Sequence, residues 1–360
     1  MNSYLMWIIA ISAVLGGLDK IFGNRFGLGK RFDDGFALIG AIISGMVGIM
    51  CLSPLISKAL QFTIAPLFRA IGLDPAILAG VLAIDMGGFP LAVDMAVDPA
   101  IGLLSGIFIA STFGCTLIFT IPVGYGMMKE ERKPDFIRGI MGGLIILPVT
   151  LILGGIFSGI SLFYTIGQSL PIILLSLILA WGMKTKPARM ASAFTVFAKI
   201  IQAVSVFGIL AGLIEYLTGC TLLPGLLSFR EAMLNAALCG IMLIGSLPFA
   251  EIMTRVFRKP LHMLGTRIRM QDRGITGLLL SMVSVPAGLG MMTEMDVRDV
   301  TVNAAFLVSA ASVFGPHLGV CAANVPEMTA AFICTKLIGG ICTILFVYLT
   351  LLRDRMERSA

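Results

Sequence analysis

Charged residues and histidines are scarce in this chain of 360 residues. Asp, Glu, Lys and Arg make up 13% of it, and there are only two histidines. Soluble domains carry about 25% charged residues, so the composition excludes an ordinary soluble protein. The sequence also lacks Gly-x-Ser-x-Gly and His-Glu-x-x-His, two motifs of hydrolases. We therefore expect no enzymatic activity.

No two cysteines have the Cys-x-x-Cys spacing that is typical of redox and zinc sites. The seven cysteines lie within or at the ends of apolar runs, where a free thiol packs as a small apolar side chain. We therefore expect neither a metal site nor a bound cofactor. The cysteines are Cys51, Cys115, Cys220, Cys239, Cys321, Cys334 and Cys342.

Long apolar runs make up most of the sequence. Hydrophobic residues make up 58% of the chain, and the mean hydropathy is +0.99. The runs alternate with short charged loops, which is typical of multi-pass α-helices in a lipid bilayer and not of a β-barrel. The net charge of +6 comes from basic loops between these runs, as the positive-inside rule predicts, so we do not expect nucleic acid as a partner.

One apolar stretch, residues 75–95, contains both an acid and a helix break. Asp85 lies in its middle and is followed at once by Gly87, Gly88 and Pro90. A carboxylate at membrane depth costs about 2.5–3.5 kcal/mol on insertion scales, and Gly-Gly with Pro interrupts a helix. An acid at a break inside an apolar run is the pattern of a transporter's broken helix at its binding site.

The chain repeats itself at an offset near 197 residues. Phe32-Asp-Asp34 corresponds to Phe229-Arg-Glu231 (229 − 32 = 197), and Ala79-Gly80 corresponds to Thr276-Gly277 at the same offset. These matches predict two homologous halves, each with its own Gly/Pro-broken stretch. We place the first repeat at 1–160 with its broken stretch at 75–95, a linking helix and basic loop at 161–190, the second repeat at 191–352 with its broken stretch at 274–292, and a cytoplasmic tail at 353–360.

The basic loops indicate how the chain crosses the membrane. If both broken stretches are re-entrant, every basic loop falls inside, and the chain makes about nine crossings plus two re-entrant hairpins. The two halves are then inverted repeats, with the N-terminus outside and the C-terminus in the cytoplasm. About ten or eleven full crossings is the alternative. We also interpret Val300–Cys321 as a single span after the second broken stretch.

Asp85 is the first candidate for a functional residue. It could be the counter-charge of a cationic substrate or a protonatable coupling group, and the alternative is a structural acid that caps a half-helix or pairs with an arginine. The second broken stretch has Met282 or Ser284 where Asp85 would fall. The predicted site thus has one charged and one neutral hairpin, which favours a substrate with a single positive charge.

Polar residues near the two breaks complete the predicted substrate site. Hydroxyl, amide and imidazole groups there could bind a solute, and bonding between helices accounts for them equally well. For His317, beside Pro316, the alternative is a satisfied packing residue. The candidates besides Asp85 are Met86, Gly87, Gly88, Phe89, Ser111, Thr112, Ser284, Asn303, Ser312, His317 and Asn324.

Three segments together resemble one known family. They are Gly27-Leu-Gly-Lys-Arg-Phe-Asp-Asp-Gly-Phe36, Ala83-Ile-Asp-Met-Gly-Gly-Phe-Pro-Leu-Ala92 and Asn303-Ala-Ala-Phe-Leu-Val-Ser-Ala-Ala-Ser-Val-Phe-Gly-Pro-His-Leu-Gly319. They are similar to the ethanolamine utilisation permeases of bacteria, nearly from end to end. Members of the family often have an acid before the histidine, where this chain has Pro316.

The resemblance implies an inner-membrane protein that moves ethanolamine into the cell. Ethanolamine is a small ammonium with one hydroxyl, which suits a carboxylate such as Asp85, an aromatic face such as Phe89, and a hydroxyl or imidazole partner. Alternating access as a facilitator or as an ion-coupled carrier is the leading hypothesis. A transporter of another small polar solute such as a carboxylate, or a membrane scaffold or sensor, is the alternative. The choice between a monomer and a homo-oligomer stays open.

Overall fold

The computed structural model describes residues 2–81, 88–256 and 270–351, and every regular element in these ranges is a helix. The first half contains α1 (Asn2–Ile21), α2 (Leu28–Thr63), α3 (Ala65–Ala70), α4 (Ala76–Val81), α5 (Gly88–Met95), α6 (Pro99–Met127) and α7 (Lys133–Phe157). The second contains α8 (Leu162–Gln168), α9 (Leu170–Thr185), α10 (Pro187–Thr218), α11 (Phe229–Val256), α12 (Asp272–Val283), α13 (Val285–Met292), α14 (Val297–Ala310), α15 (Pro316–Asn324) and α16 (Thr329–Phe346). The predicted all-α class is confirmed for the described residues.

Local sequence signals set where these helices begin and end. The Asp98 carboxylate accepts the backbone N–H of Ala100 and caps α6, whose first residue is a proline. Asp296 caps α14 in the same way, through the N–H of Asp299 at 2.8 Å. The last turn of α10 ends at Gly219, whose positive φ of 69° is the left-handed conformation that glycine adopts without strain.

Five helical stretches among the described residues are long and apolar enough to cross a membrane. They are Val47–Ala70, Pro99–Met127, Lys133–Phe157, Ala188–Thr218 and Pro326–Thr350. A sixth results if α8 and α9, which meet at an angle of 71°, count as one span. This fits an integral membrane protein, while the predicted nine to eleven crossings and the inverted repeats stay predictions.

Glycines let the helices approach closely, as in many membrane proteins. In the crossing of α2 and α10, a Cβ on Gly48 would meet the carbonyl oxygen of Ser205, and one on Gly208 would meet the carbonyl oxygen of Gly48. In a second group of helices, α14 packs between α7 and α16. There a Cβ on Gly139 of α7 would lie 2.7 Å from the Cβ of Ala304.

Two of the long helices are irregular where the sequence predicted plain spans. Leu104–Gly114 and Thr116–Thr120 of α6 are wound as π-helix, a form that often occurs at functional sites. The predicted span Val300–Cys321 is wrong as one continuous helix, because α14 ends at Ala310 and α15 starts only at Pro316. Proline removes a backbone donor and disfavours helix in the residue before it, which favours a helix start at Pro316 and an end to helix before it.

Candidate functional site

The first broken segment, residues 74–98, has its two ends fastened together by one buried carboxylate. Asp74 is 4% exposed, and its oxygens accept the backbone N–H groups of Ala76 at 2.9 Å, Val97 at 3.0 Å and Asp98 at 2.8 Å. The N–H of Asp74 itself donates to the side-chain oxygen of Gln168 at 2.8 Å. The segment therefore starts and ends at the same place.

The helices of this segment lie on the π-helical part of α6. The hydroxyl of Ser105 donates to the carbonyl of Ala76 at 2.5 Å, and a Cβ on Gly80 would meet that same hydroxyl. On the other side, a Cβ on Gly106 would lie 2.8 Å from the ring of Phe89. The glycines thus let α4 and α5 approach α6 closely.

The second broken segment, residues 271–296, folds back on itself. The break is at Ser284, whose backbone is extended at φ −153° and ψ 125°. A Cβ on Gly288 would lie 3.1 Å from the Cα of Ser281, which is seven positions earlier and would be out of reach along a straight helix. The ends of the segment meet as well, because the amide of Gln271 donates to Asp296 at 3.1 Å.

The break of this segment is joined to the interruption between α14 and α15. The N–H of Ser312 donates to the carbonyl of Ser281 at 2.8 Å, and the N–H of Phe314 donates to that of Met282 at 2.7 Å. Ser312 has a positive φ of 52°, which is uncommon outside glycine. We call residues 311–315 the unwound segment. Backbone groups that a helix would satisfy internally are here shared between two helix breaks.

A fully buried lysine lies beside the unwound segment. Lys336 of α16 has no exposed surface, and its Nζ donates to the carbonyl oxygen of Ser111 at 2.9 Å. Nζ is also 3.2 Å from Nδ1 of His317 and 5.1 Å from the ring centre of Phe332. Nδ1 of His317 lies 3.1 Å from the carbonyl oxygen of Ala311. We call these five residues the lysine cluster.

The structure brings some of the predicted site residues together and leaves others apart. Ser111 and His317 meet in the lysine cluster, and Ser312 follows Ala311 in the unwound segment. Ser284 forms the break to which that segment is bonded through Ser281 and Met282. Asp85, Met86 and Gly87 lie outside the described residues, and Gly88 begins α5.

The remaining candidates make local contacts. The Thr112 hydroxyl donates to the carbonyl of Phe108 in its own helix at 2.6 Å. Asn303 is buried and donates to the carbonyl of Gly274 at 3.0 Å, which ties α14 to α12. Asn324 is exposed, and its side chain donates to the carbonyl of Val320 within α15 at 2.9 Å. It takes no part in the hydrogen bonds of the lysine cluster. No group of residues that could hold a metal ion occurs in the part of the chain that the structure describes.

The comparison with known families decides where the chain belongs. The family described as "Ethanolamine utilisation protein, EutH" matches residues 1–350. The chain belongs to the EutH family. The resemblance found in the three sequence segments is thereby confirmed.

Curated relatives cover nearly the whole chain. A "Probable ethanolamine permease EutH" of Listeria monocytogenes is 36% identical over 95% of this chain and 92% of its own length. The protein of the same name from Escherichia coli is 32% identical over 95% of this chain and 94% of its own. The protein YxeR of Bacillus subtilis is 37% identical over 94% and 92%. No solved structure matches the chain. The two EutH proteins carry the names of probable permeases, and the apolar helices of this chain suit a membrane-embedded transporter.

Lys336 is the functional candidate that sequence reasoning missed. It lies in a run, Thr329–Leu351, that contains no other charged residue. The window Pro326–Thr350 keeps a mean hydropathy of 2.1 in spite of it, so a hydropathy average conceals the lysine. The available signal was the rarity of an ionisable residue at mid-span, which by default marks a functional position in a membrane protein.

Proposed function

We propose that this protein carries ethanolamine, as its ammonium, across the bacterial inner membrane by alternating access. The observation that supports this mechanism is the pair of broken segments, each folded so that its two ends are fastened together. Discontinuous helices of this kind supply freed backbone groups at a transporter's substrate site. The permease names of the relatives support the substrate.

Inverted repeats are part of the proposal. Helix α13 directly follows the break at Ser284, and α5 begins at Gly88, a residue of the break predicted from sequence. Helices α5 and α13 are each 8 residues long. They are separated by the predicted offset (285 − 88 = 197), and this equivalence supports homologous halves. In such a pair the second segment would enter the membrane from the side opposite to the first.

The contacts at the two ends of helix α7 indicate towards which side of the molecule each broken segment opens. Near its start, a Cβ on Gly139 would meet the carbonyl of Thr301, which follows the end of the second segment. Near its end, a Cβ on Gly155 would meet Thr165, which lies just before Gln168, and the side chain of Gln168 accepts the N–H of Asp74 at the start of the first segment. These contacts support openings at opposite ends of α7.

The charges support an orientation in the membrane. Arg31, Arg132, Arg255 and Arg273 all lie at the end of the molecule where α7 begins and the second segment starts and ends. By the positive-inside rule that end faces the cytoplasm. The first segment would then open outwards, with the N-terminus outside and the C-terminus inside.

We assign the substrate's counter-charge to Asp85, on the sequence argument alone. The ring of Phe89 would add a cation–π contact, and the hydroxyl of Ser312 or the imidazole of His317 would bind the substrate hydroxyl. Because removing one partner of a buried charge pair is strongly unfavourable, Asp85→Asn should lose affinity by more than tenfold.

Uptake of labelled ethanolamine into vesicles tests this assignment. Asp94→Asn is the matched control, because Asp94 lies in α5 of the same segment and is exposed. Uptake by the control should equal that of the unmodified protein. Unchanged uptake and affinity in Asp85→Asn would remove Asp85 as the counter-charge, and absence of ethanolamine uptake by the unmodified protein would overturn the function itself.

A second candidate substrate, a small carboxylate, is favoured by one observation. Lys336 is a fully buried lysine, and no carboxylate among the described residues lies within ion-pair distance of it. Inhibition of labelled uptake by competing solutes distinguishes an ammonium substrate from a carboxylate substrate. Ethylamine and propanolamine should inhibit uptake of labelled ethanolamine, whereas acetate and glycolate should not.

A further inference from the structure

We propose that the carboxyl group of Asp299 holds one proton while the second broken segment is closed, and releases it to water when the segment opens. The O–H bond on one carboxyl oxygen breaks in this release, and a carboxylate remains. Closure of this end of the molecule then depends on pH. Such a proton site requires neither the proposed substrate nor its counter-charge, because all of its groups belong to the second broken segment and to α14.

Asp299 lies where the two ends of the second broken segment meet. Its Oδ2 accepts the backbone N–H of Gln271, the first residue of the segment, at 3.1 Å. Its own N–H donates to the carboxylate of Asp296, the last residue of the segment, at 2.8 Å. The side chain of Gln271 donates to that same carboxylate at 3.1 Å. Separation of the two ends would therefore take Gln271 away from Asp299 and let water reach its carboxyl group.

The other oxygen of this carboxyl group, Oδ1, is the place for a proton. Asp299 is 1% exposed, and its Oδ1 has no hydrogen-bond partner among the described residues. No lysine or arginine in the described ranges forms an ion pair with it. A charge buried in this way loses its hydration without compensation. A proton on Oδ1 removes the charge and leaves Oδ2 able to accept from Gln271.

A second buried acceptor without a described partner lies one helical turn further along α14. Asn303 is fully buried, and its Nδ2 donates to the carbonyls of Gly274 and Asp299 at 3.0 and 2.9 Å. Its Oδ1 has no partner in the part of the chain that the structure describes. Residues four positions apart lie on one face of a helix, and here both side chains face glycines of α12. This face lacks a hydrogen-bond donor, and a proton on Asp299 supplies one.

The close contact with α12 favours a proton over a metal ion. A Cβ on Gly274 would meet Oδ2 of Asp299 and lie 2.9 Å from its Oδ1, and one on Gly277 would lie 2.7 Å from Oδ1 of Asn303. A metal ion needs several oxygen ligands around it at about 2.0–2.6 Å, whereas a proton needs no space of its own. The two glycines thus let α12 cover a neutral carboxyl group.

The charges around Asp299 also disfavour its ionised form. Asp299 lies outside the five apolar stretches that are long enough to cross a membrane. Burial, and after it the charge of Asp296, raise the pKa of Asp299 to about 7, although the hydrogen bond from Gln271 and the charge of Arg298 lower it. The other titratable or charged residues on the elements around α14 are Asp272, Arg273, Glu294, Tyr348, Asp135 and Arg138.

Melting temperatures in detergent test the proton site. Because the folded pKa lies above the unfolded value of about 3.9, the stabilisation is complete below about pH 4 and is lost as the pH rises through about 7. Asp299→Asn keeps the shape of the side chain and has no proton to lose. It should melt several degrees above the unmodified protein at pH 8.5, and at the same temperature as the unmodified protein at pH 5.5.

Asp94→Asn is the matched control for this measurement. Asp94 is an exposed aspartate of the other broken segment, so its variant should melt like the unmodified protein at both pH values. Equal melting temperatures of Asp299→Asn and the unmodified protein at pH 8.5 would overturn the proton site.

Hydrogen exchange links the proton to the opening of the segment, and it needs only the unmodified protein if Asp299→Asn does not fold. Each pH unit above the folded pKa shifts the balance towards the open form about tenfold. After correction for intrinsic rates, the amides at the start of α12 should therefore exchange more than tenfold faster at pH 8.5 than at pH 5.5. The corrected rates of Asp299→Asn should be equal. Helix α4 should show no change, since the first segment is closed by Asp74 with three backbone N–H donors.

Two results of the exchange experiment would contradict the proposal. Corrected rates in α12 that do not vary with pH would overturn the proton site. Rates that fall with added sodium at constant pH would assign the oxygens of Asp299 and Asn303 to a metal cation and overturn it as well. Neither readout involves ethanolamine, so either result leaves the proposed function standing, and absence of ethanolamine uptake would overturn that function alone.

Discussion

Arg31 and Glu294 form a two-bond ion pair across 263 positions of sequence. The two guanidinium nitrogens donate to the two carboxylate oxygens at 2.6 and 3.1 Å. Arg31 also contacts Glu251 of α11 at 3.1 Å, and Arg273 contacts Glu294 at 3.0 Å. Since Glu294 lies between α13 and α14, this network joins α2 and α11 to the end of the second broken segment.

The ion pair predicts a pH-dependent stability. The hydrogen bond and the charge of Arg31 hold the pKa of Glu294 below its ordinary value. Because the pKa is lower in the folded state, the stabilisation is present above the unfolded pKa of about 4.3 and is lost as the pH falls through the folded pKa. Glu294→Gln should cost on the order of 1 kcal/mol of unfolding free energy at pH 7, and clearly less at pH 3.5.

Melting curves in detergent at the two pH values measure this effect. Glu130→Gln is the control, because the Glu130 side chain is 86% exposed and its pair with Lys133 lies at the surface. An equal loss of melting temperature at both pH values for Glu294→Gln would show that the carboxylate's charge is not what stabilises the end of this segment.

The positions of the breaks were only partly predictable from sequence. The proline of the Gly/Pro-broken stretch 274–292, Pro286, lies in the first turn of α13, where proline is favoured, and the break falls before it at Ser284. The interruption at 311–315 has the signal Gly315-Pro316, which predicts a kink and not a five-residue gap. The gap depends on backbone bonds to Ser281 and Met282, which are tertiary contacts and leave no trace in local sequence.

The candidate site shows the same division. The sequence offers Ser111 as a polar residue in the span after the first broken stretch and His317 as a histidine beside Pro316, and their role as substrate ligands stays a prediction. Lys336 was missed, since its partners come from helices far away in sequence, 225 positions in the case of Ser111. The π-helical winding of α6, which contains Ser111, has no sequence signature that separates it from an ordinary apolar helix.

The crossing of α2 and α10 should not tolerate a single added methyl group at Gly48. A Cβ there would meet the backbone oxygen of Ser205, which cannot move without shifting the helix. We expect Gly48→Ala to cost about 3 kcal/mol, the upper part of the range for overpacking. Gly40→Ala, in the same helix but with nothing within 4 Å of the added Cβ, should be neutral or slightly stabilising.

Thermal unfolding of the two variants in the same detergent compares these positions. The pair shares helix, residue type and substitution, so helix propensity cancels. Equal melting temperatures for Gly48→Ala and Gly40→Ala would contradict the close approach of α2 and α10.

Asp74 should be needed to hold the first broken segment closed. Its carboxylate accepts three backbone N–H groups, from Ala76, Val97 and Asp98. In Asp74→Asn one oxygen is replaced by an NH₂ group, which cannot accept from an N–H, so one or two buried donors lose their partner at about 1–3 kcal/mol. Protease cleavage within residues 75–98 should become faster, while Asp94→Asn, at an exposed position of the same segment, should not change it.

Ser312 separates a backbone role from a ligand role. Its positive φ of 52° is costly for side chains branched at Cβ. Ser312→Val should therefore destabilise the protein by about 2 kcal/mol, whereas Ser312→Gly should fold as well as the unmodified chain. If the hydroxyl binds the hydroxyl of ethanolamine, Ser312→Gly should raise the KM of uptake about fivefold, the equivalent of one hydrogen bond of about 1 kcal/mol.

Uptake at graded ethanolamine concentrations, together with melting temperatures, resolves the two roles of Ser312. A normal melting temperature with a raised KM for Ser312→Gly supports the ligand role, because the glycine keeps the backbone bond to Ser281 and loses only the side chain. A normal melting temperature with an unchanged KM would remove Ser312 from the substrate-binding residues. The role of Ser312 would then be limited to the backbone conformation that turns the chain between α14 and α15.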